Sequence, residues 1–177
     1  MLPEGIGLIQ RARASEAPRR AIHALSISLA RHPDVVEFAR ALVAGNRARD
    51  RMARVATAFT FVNHLVSLPP SPVSECRDGL DVMVALAGEQ EGPAVILAAL
   101  LQALGERASV DYAPGMAFVR VEVLFEDLAR LPPWANLMIA RGRYYIPLDV
   151  RRPRGPLAHL PQPVRQAMLR LGPSGRS

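Results

Sequence analysis

Pro93-Ala94-Val95-Ile96-Leu97-Ala98-Ala99-Leu100-Leu101-Gln102-Ala103-Leu104-Gly105 is the stretch that decides how this chain folds. Pro93 suits the first turn of a helix, where its missing N–H costs nothing, and Gly105 suits the residue just past the end. Between them only Gln102 is polar. A helix that is apolar nearly all round has no face to give to water, so residues 93–104 are expected at the centre of the core. The period then changes. Residues 108–113 and 117–125 alternate, with Phe118, Val119, Val121, Val123 and Phe125 interleaved with Arg120 and Glu122, as half-buried antiparallel strands do. Residues 137–140 and 144–148 flank Arg141-Gly142-Arg143, the outline of a hairpin. A buried helix running into antiparallel strands is an α+β arrangement.

Upstream, the apolar positions keep helical spacing. Ile22, Leu25 and Leu29 form one stripe, closed by Arg31, His32 and Pro33. Asp34 is placed to cap a second helix carrying Val35, Phe38, Ala39, Leu42 and Val43, with Gly45 and Asn46 able to end it. A third carries Met52, Val55, Phe59, Val62 and Val66 and stops before Pro69, Pro70 and Pro72. Residues 76–86, with Leu80, Val82, Met83 and Leu86, fit a short helix or an extended element equally. The chain divides into a lead-in and first helix over 1–33, a main domain over 34–160, and a Pro/Arg-rich tail over 161–177 with one helical turn near 164–171.

Composition narrows the function classes. At 177 residues, half of them hydrophobic, the chain can bury a substantial core. The longest apolar run, residues 94–101, falls well short of the roughly 20 residues a membrane-spanning helix needs, so no membrane partner is expected. Arg19 and Arg20 precede residues 21–30 as in a secretory signal, but His23 and two serines interrupt that stretch. The amphipathic-helix reading is preferred, and with it a cytoplasmic location. Cys76 is the only cysteine, which excludes an intrachain disulfide and a Cys-rich zinc site. His23, His32, His64 and His159 lack metal-ligand spacing, and neither a metal nor another cofactor is expected. The net charge of +6 would suit nucleic acid. However, all 22 residues of the Lys+Arg total are arginine, which looks like the coding bias of a high-GC bacterial genome, and aromatics make up only 5%. Arg47, Arg51 and Arg54 share a helix face, read as solvated in preference to an anion patch.

Three segments carry a resemblance to a known family. The first is Gly88-Glu89-Gln90-Glu91-Gly92-Pro93-Ala94, continuing as Leu97-Ala98-Ala99-Leu100-Leu101-Gln102-Ala103-Leu104-Gly105. The second is Met116-Ala117-Phe118-Val119-Arg120-Val121-Glu122-Val123, and the third Tyr145-Ile146-Pro147-Leu148-Asp149. Over about residues 55–160 the chain resembles the transglutaminase-like superfamily, relatives of the papain-type cysteine proteases. The resemblance implies a transglutaminase-like, papain-like core in which N-terminal helices and the buried central helix pack on an antiparallel sheet.

In an active member of that family a cysteine opening the helix attacks an acyl carbon, a histidine at a strand start activates it, and an aspartate at a strand end orients the imidazole. The corresponding positions here are Gln90, Met116 and Asp149. An amide is no acyl-transfer nucleophile and a thioether relays no proton, so two of the three roles have no occupant. Cys76 lies upstream of the helix start that would lower a thiol's pKa and reads as an ordinary cysteine. Asp149 reads as a structural carboxylate accepting backbone or arginine hydrogen bonds. Glu89 and Glu91 are explained by the helix dipole without an acid–base role. The resemblance therefore implies a pseudoenzyme whose ancestral groove, formed by Gln90, Met116, Phe118 and Asp149 and rimmed by Arg151, Arg152 and Arg154, receives another protein through an acidic segment. The alternatives are a transglutaminase-like hydrolase or acyltransferase with catalytic residues not placed above, and a basic component of a larger assembly, with or without nucleic acid.

Overall fold

The computed structural model describes residues 18–44, 50–68, 78–113, 116–151, 156–159 and 162. Five helices precede the sheet among these residues: α1 (Pro18–Ala30), α2 (Pro33–Ala44), α3 (Arg51–Ser67), α4 (Gly79–Ala87) and α5 (Gly92–Ala103). As its composition requires, α5 is the centre: residues 92–101 are buried, and α1, α2, α3 and α4 all pack on it. Full burial of a leucine or isoleucine is worth about 1.5–3 kcal/mol, and Ile96, Leu97, Leu100 and Leu101 are each inaccessible to solvent. Gly105, at φ +84°, closes the helix. Its N–H donates to the Gln102 carbonyl, and the Glu106 N–H reaches back to that of Leu101, the paired bonds of a Schellman ending.

That ending turns the chain onto β1 (Ala108–Ala113), which runs back along α5 and pairs with β2 (Met116–Val123). After a 3-10 helix, Phe125–Arg130, come β3 (Met138–Ala140) and β4 (Arg143–Leu148). The sheet is antiparallel throughout in the order β1-β2-β4-β3, so the fold is α+β. Ala117, Val119, Val121, Val123, Ile146 and Leu148 face the helices and join their core. Met116 and Phe118 alternate with these residues and form a separate small cluster with Ala113 and Met138.

Several sequence expectations are corrected. α2 begins at Pro33, with Asp34 inside its first turn rather than at the cap. The ambiguous segment is helical from Gly79, because the Asp78 carboxylate accepts from the N–H groups of both Leu80 and Asp81 at 2.9 Å. β2 stops at Val123, and Phe125 belongs to the 3-10 helix. Ile22, Leu25 and Leu29, the stripe of the first helix, belong to the same core as α5. Gly45, Asn46, Arg47, the prolines at 69, 70 and 72, Cys76 and the helical turn near 164–171 lie outside the described residues.

Arg51 and Arg54 are neither solvated nor an anion patch. Arg51 Nε donates to Glu106 Oε2, and its terminal nitrogens donate to Asp127 Oδ2 at 3.0 Å and to the Glu122 carbonyl. Arg54 donates to the other oxygen of Glu106 at 3.1 Å. Glu106 and Asp127 are buried, so two cations and two carboxylates tie the start of α3 to the entrance of β1 and to the 3-10 helix. The charges balance locally, which removes the excess positive charge that an anion site needs.

Candidate functional site

Of the positions singled out from the sequence, Met116 and Asp149 lie at one end of the sheet. Since β1 returns along α5, its last residues come back to where that helix begins, and the charge of Glu91 at the helix start acts on Tyr112 near the end of β1. Burial first, then that carboxylate, push the Tyr112 phenol up to about 12. Met116 pairs with Ala113 across the β1–β2 hairpin, and β4 runs antiparallel to β2, so its final residues reach the same end.

Face as well as end is decided by register. Val119 pairs with Leu148, which carried one residue further sets Asp149 opposite Phe118. Leu148 and Val150 belong to the helix-facing core, so alternation turns Asp149 to the other face, with Met116 and Phe118. Asp149 is buried. Its Oδ1 accepts the Arg151 N–H at 3.1 Å and lies 3.6 Å from Arg151 Nε, while its Oδ2 has no hydrogen-bond partner among the described residues. On the same face Arg120 stands 3.3 Å from Asp111 and lies over the Tyr145 ring at 4.9 Å.

Gln90 is exposed in the bend between α4 and α5, and no hydrogen bond joins it to Met116 or Asp149. Its position is fixed by Gly92: a Cβ there would fall 1.7 Å from the Leu86 carbonyl oxygen, so the end of α4 and the start of α5 touch backbone to backbone. Met116 and Phe118, expected from the resemblance to line a groove, are 4% and 0% exposed. They are sealed in the sheet's second face, and alternation predicts their shared face but not what covers it. Arg151 is exposed, whereas Arg152 and Arg154 lie outside the described residues.

Comparison with protein-family models, with curated proteins and with solved structures finds no match. Among the described residues no cluster of His, Cys, Asp and Glu could hold a metal, and no helix is long and apolar enough to cross a membrane. A shallow depression of about 450 Å³ lies between α2 and α3, lined by Leu42, Ala56, Thr57, Thr60, Phe61 and His64. His64 is its one titratable group, and the other polar side chains in its lining are the hydroxyls of Thr57 and Thr60.

Proposed function

We propose that the chain is a catalytically inactive transglutaminase-like module that works by binding another protein. One observation carries the reading: Met116 and Asp149, the positions the resemblance gives to the histidine and the aspartate, share one end and one face of neighbouring strands. That is the layout the resemblance implies for those two positions alone, since α5, which follows Gln90, packs on the opposite face of the sheet. An amide and a thioether stand where acyl transfer needs a nucleophile and a base, so the scaffold persists without its chemistry. Burial of Met116 moves the expected contact surface away from the ancestral groove. The full-length protein should give no turnover of amine and glutamine-peptide substrates, and Cys76→Ser should change nothing. Turnover that disappears in Cys76→Ser would restore the enzyme reading.

A further inference from the structure

Large apolar side chains left in water are concentrated in one segment. Seven are exposed among the described residues, and five of these, Leu124, Phe125, Trp134, Leu137 and Ile139, fall between β2 and the middle of β3. Phe125 is 78% exposed, Ile139 67% and Trp134 56%. The register draws their ends together. Val123, Tyr144 and Ile139 stand opposite one another across β2, β4 and β3, so Leu124 and Phe125 leave the sheet about two strand spacings, roughly 10 Å, from Ile139. Leu137 leads directly into β3.

β3 is an outer strand. Because Arg141 and Gly142 form a two-residue loop, Ala140 and Arg143 make the closing hydrogen-bonded pair. Ile139 therefore turns its N–H and C=O away from β4, and no hydrogen bond reaches them from the open side among the described residues. The loop has φ +50° at Arg141 and +72° at Gly142, the signs of a type I′ turn. Asparagine, aspartate and glycine tolerate the first of those positions, whereas arginine holds it against its own backbone preference. Arg141 is exposed and makes no ion pair among the described residues, while Arg143 beside it binds Glu122 at 2.9 Å. Among the described residues, a cation without an ion pair is thus held on strained backbone at the tip of an edge strand.

We propose that the open edge of β3 takes up an extended acidic segment of a partner protein as an added strand. This deepens the protein-binding reading above and rests on it. Ile139 supplies the ladder bonds, the exposed apolar side chains of the crossover receive alternate residues of the guest, and Arg141 meets its carboxylates. A lipid surface or a nucleic acid has no peptide N–H and C=O groups to complete the ladder. A second copy of this chain, itself at +6, would bring like charges together.

Trp134 is the only tryptophan, so its emission reports on this surface in the full chain. The probe is a synthetic peptide of alternating valine and glutamate, with a valine–lysine peptide as counterpart. The acidic peptide should blue-shift Trp134 emission saturably, and the basic one should bind at least about tenfold more weakly at low salt. Ile139→Pro removes the outward N–H at an edge position where proline is tolerated, and should abolish the shift. Arg141→Asn should weaken binding several-fold while leaving the thermal midpoint unchanged or raised, because asparagine suits the turn. Equal response to both peptides, no response to either, or full binding by Ile139→Pro would overturn the proposal. So would a shift given only by anionic vesicles or by single-stranded nucleic acid, or a dimer of the chain that Ile139→Pro dissociates. Amine–glutamine turnover measured on the same preparation separates the two readings: turnover removes the non-catalytic one, whereas failed peptide binding without turnover removes only this surface.

Discussion

Replacing Glu106 by glutamine keeps the shape of its side chain and removes one charge from the cluster that joins α3 to the sheet. Glu106 contacts both Arg51 and Arg54, and its side chain is only 3% exposed. Removing one partner of a buried ion pair typically costs about 3–5 kcal/mol, because the remaining charge stays desolvated. The arginines are 18% and 29% exposed and recover some hydration, and Asp127 still holds Arg51, which brings the expected loss to roughly 2–4 kcal/mol. For a chain of this length each kcal/mol moves the midpoint about 2–4 °C, so Glu106→Gln should lower Tm by roughly 5–15 °C. Urea unfolding of Glu106→Gln, Arg51→Met and the double variant gives the coupling directly, and the double variant should be less damaging than the sum of the two single ones. Arg143→Met is the internal control: it breaks the more exposed pair with Glu122 and should cost no more than about 1 kcal/mol. A loss below about 0.5 kcal/mol for Glu106→Gln, or strict additivity in the cycle, would refute the clamp.

Gly92→Ala should destabilise by about 2–3 kcal/mol or more, since the new methyl meets the Leu86 backbone oxygen rather than a yielding side chain; chemical denaturation measures it. Asp78→Ala should cost about 1 kcal/mol and lower the hydrogen-exchange protection of α4 selectively, because two N–H groups lose their acceptor. In a phenolate absorbance titration Tyr112 should ionise near 12, and Glu91→Gln should bring it down. Between the ordinary tyrosine value near 10 and about 12 the folded protein keeps a proton that the unfolded chain has lost, so the contribution of Tyr112 to stability is complete below that window and falls as pH rises through it.

Period and punctuation alone placed the elements whose signals are local. Ten buried positions in the span 92–101 follow from a run that offers no polar face, and the close of α5 follows from Gly105. The alternation of β1 and β2 and the β3–β4 hairpin were legible for the same reason, because side-chain period is a property of consecutive residues. Where Arg51 and Arg54 would point was not. Their helix face reads as solvated until Glu106 and Asp127, more than fifty residues away, are brought beneath it, and a long-range pairing of charges leaves no periodic trace. The candidate site divides the same way. The residue types at Gln90, Met116 and Asp149 can be read from the chain, and they limit its chemistry. Only the β2–β4 register turns Met116 and Asp149 to the face away from α5, and only packing from the rest of the chain seals Met116 and Phe118 while leaving Phe125, Trp134 and Ile139 in water. Apolarity states which side chains gain by burial; which of them obtain it is decided by where the few available surfaces meet, and that is a property of the assembled fold.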